Sequence, residues 1–115
     1  MRAALAFCIA SLAGPALAAD GGRLFADQCA SCHSMAAASD PSGPSLKGVL
    51  WRKVAAQADF SYSPALKTLG GSWSPSRLEV FLKDSQALAP GTSMYVAVED
   101  ENDRKAIVTY LKSAR

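Results

Sequence analysis

The chain has 115 residues, half of them hydrophobic, and carries 12 Lys and Arg against 10 Asp and Glu. This length suits a single domain rather than two. A net charge of +2 is too small for the concentrated basic surface with which proteins bind nucleic acid, so the composition excludes that class of partner.

The first segment, residues 1–19, has the pattern of a secretory signal peptide. A basic start is followed by an uncharged apolar run and by an Ala-Leu-Ala cleavage sequence. Cleavage after Ala18 or Ala19 would leave a mature domain of residues 20–115 in the periplasm. An uncleaved membrane anchor is the alternative, but the apolar run is shorter than the ~20 residues that a helical span needs. No later segment could span a membrane.

A first helix is predicted from about Gly21 to Cys32. Asp20 can cap its N-terminus, because an aspartate side chain accepts hydrogen bonds from the first free N–H groups of a helix. Glycine weakens helices, so Gly21 or Gly22 at the helix start indicates that another helix crosses there at close range. Flexibility near a new N-terminus is the other explanation.

The most informative segment is Cys29-Ala30-Ser31-Cys32-His33, which holds both cysteines of residues 20–115 and the one histidine of the chain. A zinc site would need a fourth ligand and usually a second ligand pair. A thioredoxin-like redox pair would need alternating strands and helices. A structural disulfide between cysteines so close in sequence would close almost no loop.

The fourth interpretation of this segment is covalent haem. In a C-x-x-C-H sequence the thiols of Cys29 and Cys32 can bond the two vinyl groups of one haem, and His33 then binds the iron from one side. A secretory signal agrees with this interpretation, because such attachment is expected outside the cytoplasm. The motif therefore predicts one covalent haem c.

Two Ser-Pro pairs predict further helix starts, since serine caps an N-terminus and proline fits the first helical position. Ser63-Pro64 begins a short helix to about Leu69, which Gly70-Gly71 ends. Ser74-Pro75 begins a longer helix. One face of this longer helix carries Leu78, Phe81 and Leu82.

The second iron ligand follows from counting. The chain has no second histidine, and Met35 follows His33 too closely to reach the other face of the haem. Met94 lies in a segment with Pro90 and Gly91, which suits a loop that holds a side chain over a flat cofactor. Met94 is therefore the predicted ligand, although methionine is also a common core residue.

Asn102 or Asp103 is predicted to cap the last helix, on which Ile107, Tyr110 and Leu111 lie on one face at helical spacing. No segment alternates as a strand would. The predicted fold class is therefore all-α, with three longer helices, one short helix and long loops. A buried haem would supply the apolar mass that so small a domain lacks.

With these features the chain resembles a class I cytochrome c, of the type found in mitochondria and in soluble bacterial relatives. The likeness runs from Gly21 to Leu111 and implies the cytochrome c fold around one haem. The residues that carry it are Gly21, Phe25, the Cys29–His33 motif, Gly43-Pro44, Leu46, Gly48, Arg52-Lys53, Phe60, Tyr62, Trp73, Pro90-Gly91-Thr92, Met94 and Tyr110-Leu111.

The resemblance also implies roles at matching positions. Pro44 would accept a hydrogen bond from the ligand histidine through its carbonyl group. Arg52, Tyr62 and Trp73 would hold one haem propionate, and Thr92 would hold the other. On their own, the two aromatic residues would more often be core residues.

Some positions depart from the family pattern. Phe81 stands where a tyrosine commonly donates a hydrogen bond to the methionine sulfur, and Trp51 stands where a small glycine precedes Arg52. The haem edge lacks the lysines that surround it in mitochondrial proteins, so docking at that edge should depend weakly on ionic strength. The matching positions hold Gln28, Gln86, Ala87 and Ser93, and Glu99 and Asp100 replace two further lysines.

The resemblance implies a periplasmic one-electron carrier that exchanges electrons with a redox protein donor and acceptor. No catalytic constellation appears, so the protein is not expected to be an enzyme. It would work as a monomer or as a subunit of a redox complex. Two alternatives stay open: a cytochrome subunit of a periplasmic enzyme complex, and a gas-binding or peroxide-reducing haem protein with an open sixth position on its iron.

Overall fold

A computed structural model describes residues 6, 8–10 and 19–114. Most of the predicted signal peptide, residues 1–19, therefore lies outside the described residues. Among the residues that are described, no helix combines the length and the apolar character that crossing a membrane requires.

Helices form the framework of residues 19–114 and confirm the predicted all-α fold. Three are longer and one is the predicted short helix, but α4 is a second short helix that no sequence pattern indicates. Extended pairing in this part of the chain is limited to isolated bridges. In chain order the helices are α1 (Gly21–Gln28), α2 (Pro64–Leu69), α3 (Pro75–Lys83), α4 (Ser85–Leu88) and α5 (Glu101–Ser113).

Short polar side chains start the first three helices as predicted. Asp20 caps α1, Ser63 caps α2 and Ser74 caps α3, each by accepting a hydrogen bond from the main-chain N–H three residues further on. Each cap satisfies an N–H group that has no partner within its helix. The local sequence therefore fixes where these helices begin.

The end of α1 comes earlier than predicted. The helix stops at Gln28 rather than at Cys32, because the Phe25 carbonyl accepts hydrogen bonds from both Cys29 N, at 2.8 Å, and Ala30 N, at 3.0 Å. This shared acceptor interrupts the regular helical ladder. The two cysteines consequently lie on a turn that follows the helix.

The start of α5 also differs from the prediction. Asp100 caps the helix, whereas Asn102 and Asp103 lie inside its first turn. The Asp100 Oδ1 accepts hydrogen bonds from the N–H groups of those two residues at 2.8 and 3.1 Å. Asp100 is the first of these three residues in the chain, and its carboxylate satisfies the free N–H groups of the other two.

The helices α1 and α5 cross at close range. Phe25 and Tyr110 pack with ring centroids 5.4 Å apart, and Ile107 is fully buried. A methyl group on Gly21 would overlap the carbonyl oxygen of Ala106 and would lie 2.9 Å from Cβ of Tyr110. Gly21 therefore permits the close crossing that the sequence predicts.

The predicted face of α3 is buried as well. Leu78, Phe81 and Leu82 are buried, and on α5 the same holds for Ile107 and Leu111. The predicted third residue of the α5 face, Tyr110, is half-buried. These two faces form the apolar wall of the cavity described below.

We expect Gly21→Ala to lower the free energy of unfolding by about 2 kcal/mol, because the new methyl group meets main-chain atoms that cannot rotate away. Gly22→Ala is the matched control, since the atom nearest to its methyl group, Cε2 of Tyr110, is 3.4 Å away. Urea unfolding measures both variants. If Gly21→Ala and Gly22→Ala had equal free energies of unfolding, the crossing would tolerate a side chain at residue 21.

Candidate functional site

One cavity of about 350 Å³ brings together the residues that the sequence singles out. They come from the turn after α1, from the loops on either side of α2 and from the loop after α4. The predicted site residues that line the cavity are Cys29, Cys32, His33, Pro44, Arg52, Tyr62, Trp73, Thr92 and Met94. The whole predicted set is therefore in one place.

A main-chain carbonyl holds the ring of His33 in one orientation. Its Nδ1 lies 2.8 Å from the carbonyl oxygen of Pro44. A carbonyl oxygen can only accept, so Nδ1 carries the proton and Nε2 keeps a lone pair that can bind a metal. Pro44 thus has the position that its implied role requires.

Gly43 makes the approach of this loop to the histidine possible. A methyl group at this position would lie 2.6 Å from the carbonyl oxygen of Cys32 and 2.8 Å from Cε1 of His33. Any side chain here would push Pro44 away from the ring. Gly43 is therefore a functional residue to which sequence reasoning assigned no role, and its place directly before the supporting proline is the signal for it.

Cys29 and Cys32 are free thiols. Burial raises the pKa of the Cys29 thiol, whereas a redox-active thiol has a lowered pKa. Within the described part of the chain, no three His, Cys, Asp or Glu side chains come together as metal ligands, so a zinc site has no support either. Both thiols instead line the same cavity as His33.

Met94 lies half-buried at the cavity, on the loop after α4. The hydroxyl group of Ser85 donates to the carbonyl oxygen of Met94 at 2.7 Å and accepts from the N–H of Val96 at 3.1 Å. Ser85 itself is 1% exposed. These bonds fix the main chain on both sides of the methionine side chain.

Gln86 holds the preceding part of the same loop. Its Nε2 donates to the carbonyl oxygen of Thr92 at 2.8 Å, and its Oε1 accepts from the N–H of Gly91 at 3.1 Å. Sequence reasoning gave Ser85 no role and placed Gln86 only at the haem edge. Bonds from a side chain to main-chain groups several residues away leave no spacing pattern that would reveal them.

Two buried polar atoms, Nε of Arg52 and Oγ1 of Thr92, have no hydrogen-bond partner among the described protein groups. Burial lowers the pKa of Arg52, while Tyr62 and Asp59 act in the opposite direction. Arginine nevertheless stays charged in proteins. A buried polar atom without a partner destabilises a fold, so these two atoms fit the acidic groups of a bound molecule.

The rest of the cavity is apolar inside and uncharged at its opening. Trp73 and Phe81 line it with ring centroids 5.0 Å apart. Phe81 has no hydroxyl group and cannot donate a hydrogen bond to Met94. The exposed residues that line the cavity are Gln28, Cys32, Ser42, Ser93 and Tyr95, and none is charged.

The donors and walls of this cavity fit a flat apolar cofactor that carries acidic groups. Two thiols can bind it covalently, an imidazole nitrogen and a thioether can bind an iron atom, and a guanidinium and a hydroxyl group can bind carboxylates. This donor set is that of a haem attached through a C-x-x-C-H motif.

Comparisons with known proteins agree with this fit. The family model of cytochrome c matches residues 18–115. Cytochrome c of Tetrahymena pyriformis is 38% identical over 97 residues, which cover 84% of this chain and 87% of that protein. The solved structure of cytochrome cH from Methylobacterium extorquens is similar with a TM-score of 0.76 at 36% identity, over 84% of this chain and 97% of that one.

Other relatives are longer than this chain. Cytochrome c-type cyt cy of Rhodobacter capsulatus is 35% identical over 105 residues, which cover 90% of this chain and 51% of that protein. The chain spans about half the length of several curated relatives that it matches. The similarity therefore concerns the domain that contains the cavity.

Proposed function

The chain belongs to the cytochrome c family, and on that premise we propose that it carries single electrons in the periplasm on one covalent haem c. Members of the family bind haem c and serve as haem-based electron carriers. The observation that supports the proposal is the convergence of two thiols, one oriented histidine and one methionine on a single apolar cavity.

In this proposal Cys29 and Cys32 bind the haem covalently, and His33 and Met94 bind its iron. Haem iron supplies a centre that takes up and releases one electron. Pro44 keeps the proton of the histidine on Nδ1, so Nε2 stays available to the metal. A thioether ligand favours the ferrous state and raises the reduction potential.

Arg52, Tyr62, Trp73 and Thr92 bind the two propionate groups. Arg52 brings a positive charge and an unpaired Nε, and Thr92 brings an unpaired hydroxyl group. The hydroxyl oxygen of Tyr62 accepts from the N–H of Gln57 at 3.1 Å, so its hydrogen is left to donate. Ionised propionates would give Nε of Arg52 and Oγ1 of Thr92 the partners that these two atoms otherwise lack.

We propose that the protein is a carrier and not an enzyme, because two protein ligands leave no position on the iron for a substrate. The exposed large apolar side chains between residues 19 and 114 are Trp51, Val80 and Tyr95. Trp51 and Tyr95 line different spaces in the structure, and Val80 lines neither of these. Scattered apolar side chains are normal for a monomer and favour a free carrier over a permanent subunit.

The proposed location rests on the sequence. Residues 1–19 have the pattern of a cleavable signal peptide, and covalent haem attachment is expected outside the cytoplasm. A donor and an acceptor among redox proteins follow from the proposed carrier role.

The visible spectrum of the purified holo-protein, in both oxidation states and with carbon monoxide, tests this proposal. We expect a reversible uptake of one electron per haem and a ferrous spectrum that carbon monoxide does not change. Haem that stays with the denatured chain would support covalent attachment. Ready carbon monoxide binding by the unaltered protein would instead favour a gas-binding or peroxide-reducing protein.

We expect Gln86→Ala to weaken the bond between Met94 and the iron while the domain stays folded. The variant loses two hydrogen bonds that hold the loop, a loss of about 1–2 kcal/mol. The absorption band that marks methionine ligation of ferric haem should disappear at a lower temperature than in the wild type, whereas the helical circular dichroism should melt almost unchanged.

Gln28→Ala is the matched control, because this exposed glutamine lies at the same opening and no side-chain hydrogen bond of Gln28 is recorded in the described chain. It should leave the band as stable as in the wild type. A band that is equally stable in Gln86→Ala would show that the loop does not depend on Gln86.

A further inference from the structure

Trp51 has a combination of properties that packing does not explain. Its side chain is 66% exposed, so it contributes little to the core. Its φ angle is 68°, in the left-handed region that destabilises residues with large side chains. Strained backbone persists where the surrounding structure holds it in place, and such residues cluster at functional sites.

The side chain of Trp51 borders an open groove of about 680 Å³. This groove is distinct from the cavity lined by Cys29, His33 and Met94, which we call the haem cavity. Buried Leu111 and half-buried Leu50 form its apolar floor, and exposed Lys47 and Lys112 stand at its rim. The groove thus combines a large exposed aromatic side chain, an apolar floor and two positive charges.

The charges at this groove are not neutralised within the described chain. No acidic residue lines it, and the one ion pair found between residues 19 and 114 joins Lys105 to Glu101. The carboxylate of Asp59 lies near Arg52 and accepts hydrogen bonds from Ser39, and it is not among the residues that line the groove. A negatively charged surface would therefore find complementary charge at the groove.

The opening of the haem cavity offers no such charge, since its exposed residues are all uncharged. The groove is nevertheless close to the cavity. The N–H of Trp51 donates to the carbonyl oxygen of Trp73 at 2.7 Å, and the N–H of Trp73 donates to that of Arg52 at 2.9 Å. Leu111 lines both spaces.

We propose that the groove beside Trp51 is a second docking surface, for a redox protein whose docking face carries acidic side chains around an apolar slot. Trp51 is the anchor that enters the slot, and Lys47 and Lys112 meet the acidic rim. Tryptophan is among the residue types enriched at the positions that dominate the binding energy of an interface. The inference goes beyond the proposed function and takes from it only the class of the partner.

The first test measures electron exchange of the holo-protein with two probes, the membranes and the periplasmic extract of the organism that encodes it. Trp51→Gly should slow exchange with one of them at least tenfold. The double variant Lys47→Gln, Lys112→Gln should slow the same reaction and remove its dependence on ionic strength.

Two matched variants control for the loss of an exposed apolar group and of an exposed charge. Val80→Ala and Lys83→Gln change exposed residues of α3 that lie outside both the groove and the haem cavity. In each control variant the rate of electron exchange should stay within twofold of the wild-type rate. Glycine accepts a positive φ, so Trp51→Gly should keep or raise the unfolding midpoint, and its slower exchange would then not reflect damage to the fold.

The second test needs no partner. Hexacyanochromate(III), a paramagnetic trianion that is inert to reduction here, should broaden the amide signals of Lys47, Gly48 and Lys112 before those of Ser93 and Tyr95. The double lysine variant should abolish this order. Unchanged rates in Trp51→Gly, a lowered midpoint in that variant, or no preference of the anion for the groove would each overturn the docking surface. Failure of the wild type to exchange electrons with either probe would overturn the proposed carrier function as well.

Discussion

Replacement of Met94 by leucine should turn an iron that does not respond to carbon monoxide into one that binds it. Leucine has nearly the volume of methionine but no atom that can donate electrons to a metal. Among the residues that the structure describes, Met94 is the one methionine that lines the cavity. Without its thioether the sixth position is open, and the ferrous spectrum should change on addition of the gas.

The loop that carries Met94 should remain in place in this variant. Ser85 and Gln86 hold the main chain of the loop through their own hydrogen bonds, and these do not involve the sulfur atom. The spectral change would therefore report lost ligation and not an unfolded loop. Circular dichroism of the variant measures this independently.

Met35→Leu is the matched control. This second methionine packs against the hydrophobic core and does not line the cavity. Its replacement should leave the spectrum unresponsive to carbon monoxide. A response in Met35→Leu, or none in Met94→Leu, would contradict the assignment of the sixth ligand.

The parts of the fold that the sequence predicts well are those set by neighbouring residues. Asp20, Ser63 and Ser74 each cap a helix by accepting a hydrogen bond from the N–H three residues further on. The C-x-x-C-H motif likewise spans only five neighbouring residues. Such interactions repeat at fixed spacing, so the sequence displays them directly. The motif and the count of histidines and methionines indicate the thiols and the two iron ligands, whereas the roles of Pro44, Arg52, Tyr62, Trp73 and Thr92 are predicted from the family resemblance alone.

The start of α5 shows why a helix boundary can be missed. Asp100, Asn102 and Asp103 are all able to cap a helix, and spacing alone cannot choose between them. In the structure the buried Arg104 donates to the carbonyl oxygens of Val98 and Glu99, at 2.7 and 2.8 Å. These bonds hold the incoming chain so that Asp100 is the first residue to reach the free N–H groups.

The support of the candidate site is the part that the sequence conceals. Gly43, Ser85 and Gln86 act on main-chain atoms of other segments or on a ring that packs against them. Gly43 has no side chain, and the side chains of Ser85 and Gln86 have no metal-binding or charged group that would draw attention to them. The roles of Ser85 and Gln86 depend on distances that exist only after the loops fold together, so no local pattern predicts them, whereas Gly43 is marked only by its place directly before Pro44.

The second large effect is expected at the crossing of α1 and α5. Ile107→Ala should lower the free energy of unfolding of the ferric holo-protein by about 3 kcal/mol. Ile107 is 0% exposed and also lines the haem cavity, so the variant loses apolar contacts on both sides and leaves a void. For a domain with a typical stability of about 5–15 kcal/mol, this is a large fraction.

Guanidinium unfolding measures this loss, with an unchanged slope as the sign that both proteins unfold in the same way. Thr109→Ala is the control on the same helix, because this residue is exposed and should change the stability by less than about 0.5 kcal/mol. Ile107→Val removes one methylene and should lose about 1 kcal/mol. A loss below about 1 kcal/mol in Ile107→Ala would mean that the helices and the haem close the void, and that packing at this crossing is far less rigid than the overlap at Gly21 implies.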